Sequence, residues 1–318
     1  MAKKPICIID GDLLAFKASA ANETRGIIAL HKTSGRTKAF KHRTEFKEFI
    51  GEKFPLEDFD ISDTQVTEDI SHALFTVKRM IESICETCKT DKYEIYISGK
   101  DNFRDELPLP QKYKGNRLNL VKPLQLKEVM EYLKGVHKAE VVIGEADDRI
   151  SIRQYEGIKT KTKVIGCSTD KDSMGTDGWV YNWDKMSEPM LVKGLGDLYI
   201  DEKNKVRGYG SKWKYLQWLV GDSIDGLNPC YLAGIKFGEK AGYKILKNLT
   251  TEQECWQAVH DTYKSWYPSE VEYVDQCGRP QVADYLKLAQ VYWDVIHMLR
   301  FEGDFVDVRE VMLKMGIL

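Results

Sequence analysis

This sequence lacks long apolar runs, repeats and a large net charge, and each of these absences limits the classes of protein to which it can belong. No apolar run approaches the roughly 20 residues that a membrane-spanning helix needs. No internal repeat and no low-complexity tract is present. The formal net charge is only -2, so the total charge gives no indication of nucleic-acid binding, and the distribution of charge has to be considered instead.

The seven cysteines do not form the pattern of a disulfide framework, because their number is odd and they are scattered along the chain. We therefore expect a reducing, cytoplasmic environment. Cys85 and Cys88 are the only close pair, and the sequence places no second pair or histidine cluster to complete a zinc site. Structural cysteines within a helix are the favoured interpretation.

The composition predicts a soluble protein with a sizeable core. The chain has 318 residues, 42% of them hydrophobic, and its mean hydropathy is -0.42. This length favours two lobes over one compact unit. The N-terminus leads directly into the apolar run Ile6–Ile9 and then Asp10, which predicts a first β-strand and is too short for a signal peptide.

Short apolar runs alternate with helical periodicity in the first two thirds of the chain. Ile6–Ile9, Tyr93–Ser98 and Val164–Cys167 are predicted strands, and Val141–Ile143 is a fourth candidate. Helices are predicted from about Asp69 to Cys88 and through Leu126–Leu133. A hairpin is predicted from Trp179–Trp183 and Met190–Val192. This alternation predicts an α/β core with a mainly parallel sheet.

Helical periodicity dominates after about residue 205. The predicted helices are Trp213–Val220, Lys240–Leu249, Gln253–Trp266 and Ala283–Arg300. We therefore predict two domains, an α/β core over residues 1–205 and a helical lobe over 206–318. Most tryptophans of this lobe are expected in its core. Residues 22–68 and 250–318 have no assigned role.

Acidic residues follow three of the predicted strands, where ligands gather in an open parallel sheet. Asp10 follows the first strand, Glu145, Asp147 and Asp148 follow the fourth candidate, and Asp170 with Asp172 follows Val164–Cys167. Each acid could instead cap or complement a helix N-terminus. Converging carboxylates, however, repel by roughly 4 kcal/mol per pair at about 4 Å and an effective dielectric near 20. Bound cations would cancel this repulsion, and carboxylate oxygens favour Mg²⁺ or Mn²⁺. Two such ions can hydrolyse a phosphodiester.

A basic segment lies between two acid-bearing strands. Residues 107–127 contain no acid, but they contain Lys112, Lys114, Arg117, Lys122 and Lys127. With three nearby prolines, this segment could be a solvated loop without a ligand. Its position between two acid-bearing strands favours a phosphate-binding role.

Five further motifs follow one another in order along the chain: Ile8–Asp12; Phe103–Arg104 with Tyr113–Arg117; Glu145–Asp148; Ser168–Asp172; and Gly221–Gly226 with Gly238–Tyr243. Together they resemble the motifs of the 5′-nuclease family, which includes flap endonucleases and phage-type 5′→3′ exonucleases. The resemblance implies a PIN-like core with a basic helical arch (about residues 100–127) and a helix–three-turn–helix element.

The resemblance also implies a role for each matched residue. Asp10, Glu145, Asp147 and Asp170 would hold the first metal ion, and Asp148, Asp172, Asp222 and Asp225 the second ion or its outer shell. Asp10 and Asp170 would thus belong to the catalytic centre, with Lys114 and Arg117 at the scissile phosphate. Arg104 and Tyr113 would steady the 5′ strand, and Gly238 and Lys240 would contact a duplex phosphate. A potassium ion at the turn element is a further implication.

The sequence departs from the family pattern at two places. Ser98 stands where the strand before the basic motif usually ends in a metal-binding acid, and Asp101 is the nearest substitute. The loop between Asp225 and Lys240 is longer than the pattern, and Gly226 stands where Asn is common. The second departure weakens the potassium implication more than the DNA contact.

The resemblance implies Mg²⁺-dependent hydrolysis of DNA near a free 5′ end, nick or flap, and of RNA in RNA–DNA hybrids as an extension. Primer removal, recombination or degradation of host DNA in a phage cycle would use such an activity, in the host cytoplasm if the chain is phage-encoded. Two alternatives remain open. One is a nuclease-fold endoribonuclease, and the other is a DNA-structure-binding protein with weakened or lost catalysis, which Ser98 keeps under consideration.

Overall fold

The computed structural model describes residues 4–117 and 120–318. Its strands are β1 Ile6–Asp10, β2 Glu23–His31, β3 Thr37–Phe40, β4 Phe59–Thr67, β5 Tyr93–Ser98, β6 Glu140–Val142, β7 Val164–Cys167, β8 Gly178–Tyr181, β9 Met190–Val192, β10 Asp197–Ile200, β11 Val206–Tyr209, β12 Val271–Val274 and β13 Pro280–Ala283. Its helices are α1 Gly11–Ala21, α2 Arg43–Ile50, α3 Ile70–Thr87, α4 Leu126–Gly135, α5 Ala146–Thr160, α6 Ser211–Val220, α7 Glu239–Leu246, α8 Glu252–Trp266, α9 Tyr285–Ile296 and α10 Val308–Lys314.

A six-stranded sheet forms the centre of the α/β core, in the order β6-β5-β1-β7-β8-β9. The first five strands in this order are parallel neighbours, and only β9 pairs antiparallel, with β8. The predicted fold class, an α/β protein with a mainly parallel sheet, is confirmed. β5 and β7 have their predicted bounds, β6 lies one residue earlier than predicted, and β8 with β9 forms the predicted hairpin.

The apolar runs form central strands because both faces of the sheet are covered. Cys7, Ile8 and Ile9 have no exposed surface. On one face, Ile8 packs against Ala146 and Ile150 of α5. This packing fixes the N-terminus of α5 close to the carboxyl ends of the strands.

The chain divides into two compact units. The first comprises Met1–Asp12, Ser83–Leu120 and Lys138–Leu318, and the second comprises Leu13–Glu82 and Val121–His137. The domain boundary predicted near residue 205 lies inside the first unit and stays a prediction.

The second unit contains residues 22–68, to which the sequence gave no assignment. They form an antiparallel sheet in the order β3-β2-β4, with helix α2. Phe40, Phe46 and Ile50 pack with Ile27 and Ala29 in a small core of their own. The alternation that would have predicted these strands is weak because their other face also carries apolar side chains, such as the exposed Ile28 and Val66.

The C-terminal helices of the first unit pack around aromatic side chains. Trp218 is fully buried, and its ring lies 4.7 Å from that of Trp293 and 5.0 Å from that of Trp256 between centroids. The interpretation of these tryptophans as core residues is therefore confirmed. Two β-hairpins, β10–β11 and β12–β13, also lie in this unit and were not predicted.

The region for which the resemblance implies a helical arch, about residues 100–127, has a different structure. Before α4 its described residues contain two 3-10 turns, Phe103–Glu106 and Gly115–Arg117, and no α-helix; residues 118 and 119 lie outside the described residues. Pro108, Pro110 and Pro123 explain this, because proline disfavours a helical residue before it and removes a backbone donor. Among the helices in residues 4–117 and 120–318, none is long and apolar enough to span a bilayer.

Candidate active site

Two acids are fixed at the carboxyl ends of the central strands. β1 ends at Asp10, which is 3% exposed and accepts a 3.0 Å hydrogen bond from the Ser168 hydroxyl. The same hydroxyl accepts the backbone N–H of Asp170 at 3.1 Å. Ser168 thus joins the turn after β7 to the end of β1, so two strands present carboxylates at one rim.

Helix α5 delivers further acids to this rim. Its N-cap residue Glu145 makes no side-chain capping hydrogen bond, so the helix-capping interpretation does not apply to this residue. Loss of solvent around its carboxyl raises the pKa of Asp147, and the charges of Asp10, Asp170 and Glu145 raise it further. Acids that are up to 160 residues apart in sequence therefore act electrostatically on Asp147, and their convergence on a metal ion stays a prediction.

Glu145 is the most extensively contacted acid of the rim. It forms an ion pair with Lys114, accepts hydrogen bonds from the Tyr113 hydroxyl and the Asn102 amide at 3.0 Å each, and lies 3.6 Å from Arg104. Burial opposes ionisation, but Arg104 and Lys114 more than offset it, so the pKa of Glu145 lies below its usual value. A carboxylate at this position is therefore ionised and held in one orientation.

Arg104 and Asp148 form a buried pair that changes two predicted roles. The Arg104 side chain is 1% exposed, and its two terminal nitrogens donate to the two Asp148 oxygens at 2.5 and 3.0 Å. Arg104 also donates to the carbonyl oxygens of Val295 and His297. The predicted contact of Arg104 with a DNA strand is corrected to an internal one, and Asp148 faces a guanidinium rather than a metal position.

Tyr113 requires the same correction. Its side chain is 6% exposed, and its hydroxyl donates to Glu145. The phenol thus orients a rim carboxylate and is not available on the surface as a support for a DNA strand.

The turn after β7 carries a second group of acids. Asp170 accepts the backbone N–H of Asp172 at 2.9 Å. Loss of solvent and the charges of Asp170 and Asp222 raise the pKa of Asp172 to about 8. Lys171 forms a 3.0 Å ion pair with Asp222, which brings the Gly221–Gly226 motif to the same rim.

The basic segment docks on that Gly221–Gly226 turn. The backbone N–H of Lys114 donates to the Asp225 carbonyl at 2.7 Å, Asn116 donates to the Ser223 carbonyl at 2.8 Å, and Arg117 pairs with the Asp225 carboxylate. Gly226 has φ +74°, and a β-carbon there would lie 3.0 Å from the Lys112 carbonyl oxygen. Glycine at this departure from the family pattern therefore permits the close approach.

The donor chemistry of the rim fits a hard divalent cation, since every candidate ligand is an oxygen. Within residues 4–117 and 120–318, no three carboxylates have ligand atoms all within 4.8 Å of one another. Lys114, Arg117 and Lys171 lie among the acids and pair with three of them. The structure thus shows an acidic rim neutralised in part by its own cations.

Ser98 and Asp101, at the first departure from the family pattern, do not have the geometry of catalytic residues. The Ser98 hydroxyl accepts the backbone N–H of Ala146 at 2.9 Å, and the Ser98 N–H donates to Asp12 at 2.9 Å. Ser98 therefore caps α5 and holds its N-terminus against β5. Asp101 is exposed, with φ +61°. It is not one of the charged groups that most change the pKa of Asp147.

The region predicted as a helix–three-turn–helix element folds as α6, a series of turns over residues 221–238, and α7. The turns border an open groove of 980 Å³, whose lining includes Lys112, Lys171, Lys236, Gly238 and Glu239. Gly238 is the N-cap of α7, and Lys240 is exposed in its first turn. Both residues of the predicted phosphate contact therefore lie at this groove or next to it.

Sequence reasoning missed several residues that shape the rim. Asn102 and Ser168 orient Glu145 and Asp10, Lys171 pairs with Asp222, and Gln217 of α6 donates to Asp172. Lys171 stands between the candidate ligands Asp170 and Asp172 in the sequence, and this position could have indicated that its side chain lies at the rim. Asn102 and Gln217 had none, because only the tertiary fold brings them to the acids.

No protein-family model matches the chain, and no curated protein matches it either. The chain is similar along nearly its whole length to bacteriophage T5 nuclease structures. A T5 protein co-crystallised with metal ions is 16% identical, with 98% of this chain and 99% of that chain covered and a TM-score of 0.45. A T5 5′-exonuclease mutant is 15% identical, with coverages of 99% and 98% and a TM-score of 0.45. The T5 flap endonuclease in a pseudo-enzyme–product complex with DNA and metal ions is 16% identical, with coverages of 99% and 100% and a TM-score of 0.46. The similarity is too distant to transfer an activity, so the functional argument rests on the geometry of the rim.

Proposed function

We propose that this protein is a metal-dependent, structure-specific 5′ nuclease that hydrolyses DNA phosphodiesters near a 5′ end. The observation that carries the proposal is the position of Asp147. The charges of Asp10, Asp170 and Glu145, which come from the ends of two strands and one helix, act on its carboxyl, and Lys114 of the basic segment acts on it with the opposite sign. A purely structural rim would not need four acids close enough to raise the pKa of one of them.

Divalent ions fit this donor set, with Asp10, Glu145, Asp147 and Asp170 as ligands of the first ion and Asp172, Asp222 and Asp225 near the second. When bound, two Mg²⁺ or Mn²⁺ ions supply an activated water and stabilise the leaving oxygen. The protein itself orients the carboxylates. Ser168 fixes Asp10, and Tyr113 with Asn102 fixes Glu145.

Lys114 and Arg117 are the cations that would meet the scissile phosphate. Both already lie beside acids of the rim, Lys114 at Glu145 and Arg117 at Asp225. The 3-10 turn that carries Arg117 is held to the turn after α6 by the backbone N–H of Lys114, which donates to the Asp225 carbonyl, and by the Asn116 side chain, which donates to the Ser223 carbonyl. Because this docking fixes their backbone, the two side chains can stabilise developing negative charge without a large loss of conformational freedom.

The groove beside α7 is proposed as the path of the duplex. Lysine side chains and the N-terminus of α7 favour phosphate oxygens there through charge and free backbone donors. Gly238 and Lys240 would contact one duplex phosphate, a contact that fixes position without reading sequence. A potassium ion at this turn is part of the proposal only as an accessory to that contact.

The substrates we propose are duplex ends, nicks and 5′ flaps, with RNA–DNA hybrids as an extension. The products would carry a 5′-phosphate and a 3′-hydroxyl. Primer removal, recombination or degradation of host DNA in a phage life cycle would each use this activity.

The test is incubation with a 5′-labelled flap, a blunt duplex and single-stranded RNA, each with Mg²⁺ or with EDTA. We expect cleavage near the 5′ end of both DNA substrates with Mg²⁺ and none with EDTA. The Asp170→Asn variant should still bind the flap but not cut it. Asp261 is an exposed acid on α8, and the Asp261→Asn variant should cut normally.

Two other outcomes would replace the proposal. Tight flap binding without metal-dependent cleavage would identify a DNA-structure-binding protein, which the neutral Ser98 at the end of β5 favours. Cleavage of the RNA without cleavage of either DNA substrate would identify an endoribonuclease.

A further inference from the structure

Four of the seven cysteines meet in the folded chain, although they are scattered in sequence. The sulfur atoms of Cys7, Cys88 and Cys167 all lie within 4.8 Å of one another, and all three side chains are buried. Cys85, which is partly exposed, is a fourth thiol close enough to influence the pKa of Cys7, although its sulfur lies outside this group of three. Cys7 and Cys167 are therefore the partners of the Cys85–Cys88 pair that the sequence did not identify.

The secondary structure explains why these four side chains converge. Cys7 and Ile9 point to the same face of β1, and Ile9 is in register with Cys167 on the parallel neighbour β7. Cys85 and Cys88 are three residues apart at the end of α3, so their side chains lie on one side of the helix. The helix ends there, with Lys89 at φ +56°.

The spacing of the Cys7, Cys88 and Cys167 sulfur atoms is compatible with a metal centre, and a turn of the Cys85 side chain toward them would complete it. Zinc–sulfur bonds of about 2.3 Å in a tetrahedron place the sulfur atoms roughly 3.8 Å apart, and zinc sites commonly contain two cysteines separated by two residues. We propose that Cys7, Cys85, Cys88 and Cys167 bind a structural Zn²⁺ ion that joins β1, β7 and the end of α3.

Simple apolar packing accounts for the cluster less well. Buried cysteines often behave as small hydrophobic residues, but such packing does not require four thiols to converge from three elements. Lys163 lies close enough to favour negative charge on the Cys88 sulfur, and the partly exposed Cys85 provides a connection to the surface through which an ion can enter.

Binding is balanced by the release of protons. One Zn²⁺ ion replaces the thiol protons of the four cysteines, and these protons pass to solvent, so affinity falls as the pH is lowered. No oxidant or reductant takes part.

This centre is separate from the acidic rim. The cysteines lie on the face of β1 that carries Cys7 and Ile9, whereas α5 packs against the opposite face, which carries Ile8, and its acids lie at the carboxyl ends of the strands. The ligand chemistry is also different, because thiolates select zinc and carboxylates select magnesium or manganese.

The test measures metal content in protein purified without chelator. Elemental analysis should find roughly one zinc ion per chain, the number that a closed four-cysteine site holds. Cys88→Ser and Cys85→Ser should each lose at least about 90% of it, and Cys85 is partly exposed, so its variant is the safer one for folding. Cys255→Ser and Cys277→Ser, which alter cysteines outside the cluster, should keep the zinc.

Asp147→Asn must also keep the zinc, which distinguishes this centre from ions bound at the acidic rim. As a measurement that needs no variant, Co²⁺ added to zinc-depleted protein should produce the visible absorption of tetrahedral cobalt with sulfur ligands. Absence of zinc and of this spectrum would overturn the proposal. So would zinc that is lost only from Asp147→Asn, iron in place of zinc, or an intact mass that shows a disulfide.

Discussion

Asp147→Asn and Asp148→Asn should change the stability of the metal-free protein in opposite directions, although the two acids are adjacent. Asp147 lies among Asp10, Asp170 and Glu145, which raise its pKa and make its ionisation unfavourable in the folded state. Asp148 instead receives two hydrogen bonds from a buried guanidinium. Removing the first charge relieves repulsion, and removing the second leaves Arg104 without its partner.

The cost of keeping Asp147 protonated sets an upper limit on the stabilisation expected from Asp147→Asn. Holding an acid with an ordinary pKa of 3.8 neutral at pH 7 costs about 4 kcal/mol, at about 1.4 kcal/mol per pH unit. Lys114 and partial access to solvent reduce this cost, so we expect Asp147→Asn to gain about 1–2 kcal/mol, or about 2–4 °C in Tm. For Asp148→Asn we expect a loss of about 3 kcal/mol, the lower end for a broken buried pair, because Asn can still accept one hydrogen bond.

The gain for Asp147→Asn must depend on pH with a definite sign. Below the unfolded pKa, Asp147 is protonated in both states, and the substitution changes little. As the pH rises from the unfolded pKa toward the raised folded pKa, the folded wild-type protein retains a proton that the unfolded chain has lost, so its stability falls. The advantage of Asn therefore grows across this interval.

The assay is urea and thermal unfolding of EDTA-treated proteins, followed by circular dichroism, at about pH 5 and about pH 8. Flap cleavage with Mg²⁺ is measured in parallel and should fall by orders of magnitude for Asp147→Asn while flap binding persists. The reasoning is refuted if Asp147→Asn is destabilised as much as Asp148→Asn, if its gain does not vary with pH, or if it turns over normally.

Two further predictions concern the groove and the second acidic group. Lys240→Ala should weaken duplex binding and reduce the slope of log K against log salt by about one. Lys244→Ala, one turn further along α7, is the control. An unchanged slope for Lys240→Ala counts against the phosphate contact. The pKa of Asp172, raised to about 8, means that the metal-free protein should lose stability as the pH rises from about 4 to about 8. Asp172→Asn should flatten that curve in urea titrations, and identical pH dependence in both proteins would show that Asp172 is not the group responsible.

The sequence predicted the elements whose signal is local. Ile6–Ile9 and Val164–Cys167 are recognisable as strands because they are buried on both faces, and the acids at their ends then follow from the geometry of parallel strands. The motif after α6 was placed only through the resemblance to the 5′-nuclease family. The three-stranded sheet of the second unit was not predicted, because apolar side chains on both of its faces weaken the alternation in residues 22–68.

The roles of individual side chains were harder to predict than their location. Arg104 and Tyr113 belong to the basic motif, yet the fold turns both inward, toward Asp148 and Glu145. Nothing in the local sequence separates an inward arginine from the outward Lys240. The cysteine cluster shows the same limit, because the contact of Cys7 with Cys167 depends on the pairing of β1 with β7.

The most direct test of the central claim is a crystal soaked in Mn²⁺, examined by anomalous scattering at the manganese edge. The account predicts anomalous peaks in direct contact with carboxylate oxygens of Asp10, Asp147 and Asp170. Saturating Mn²⁺ that leaves these three carboxylates without a peak, or that binds only elsewhere on the protein, would contradict it.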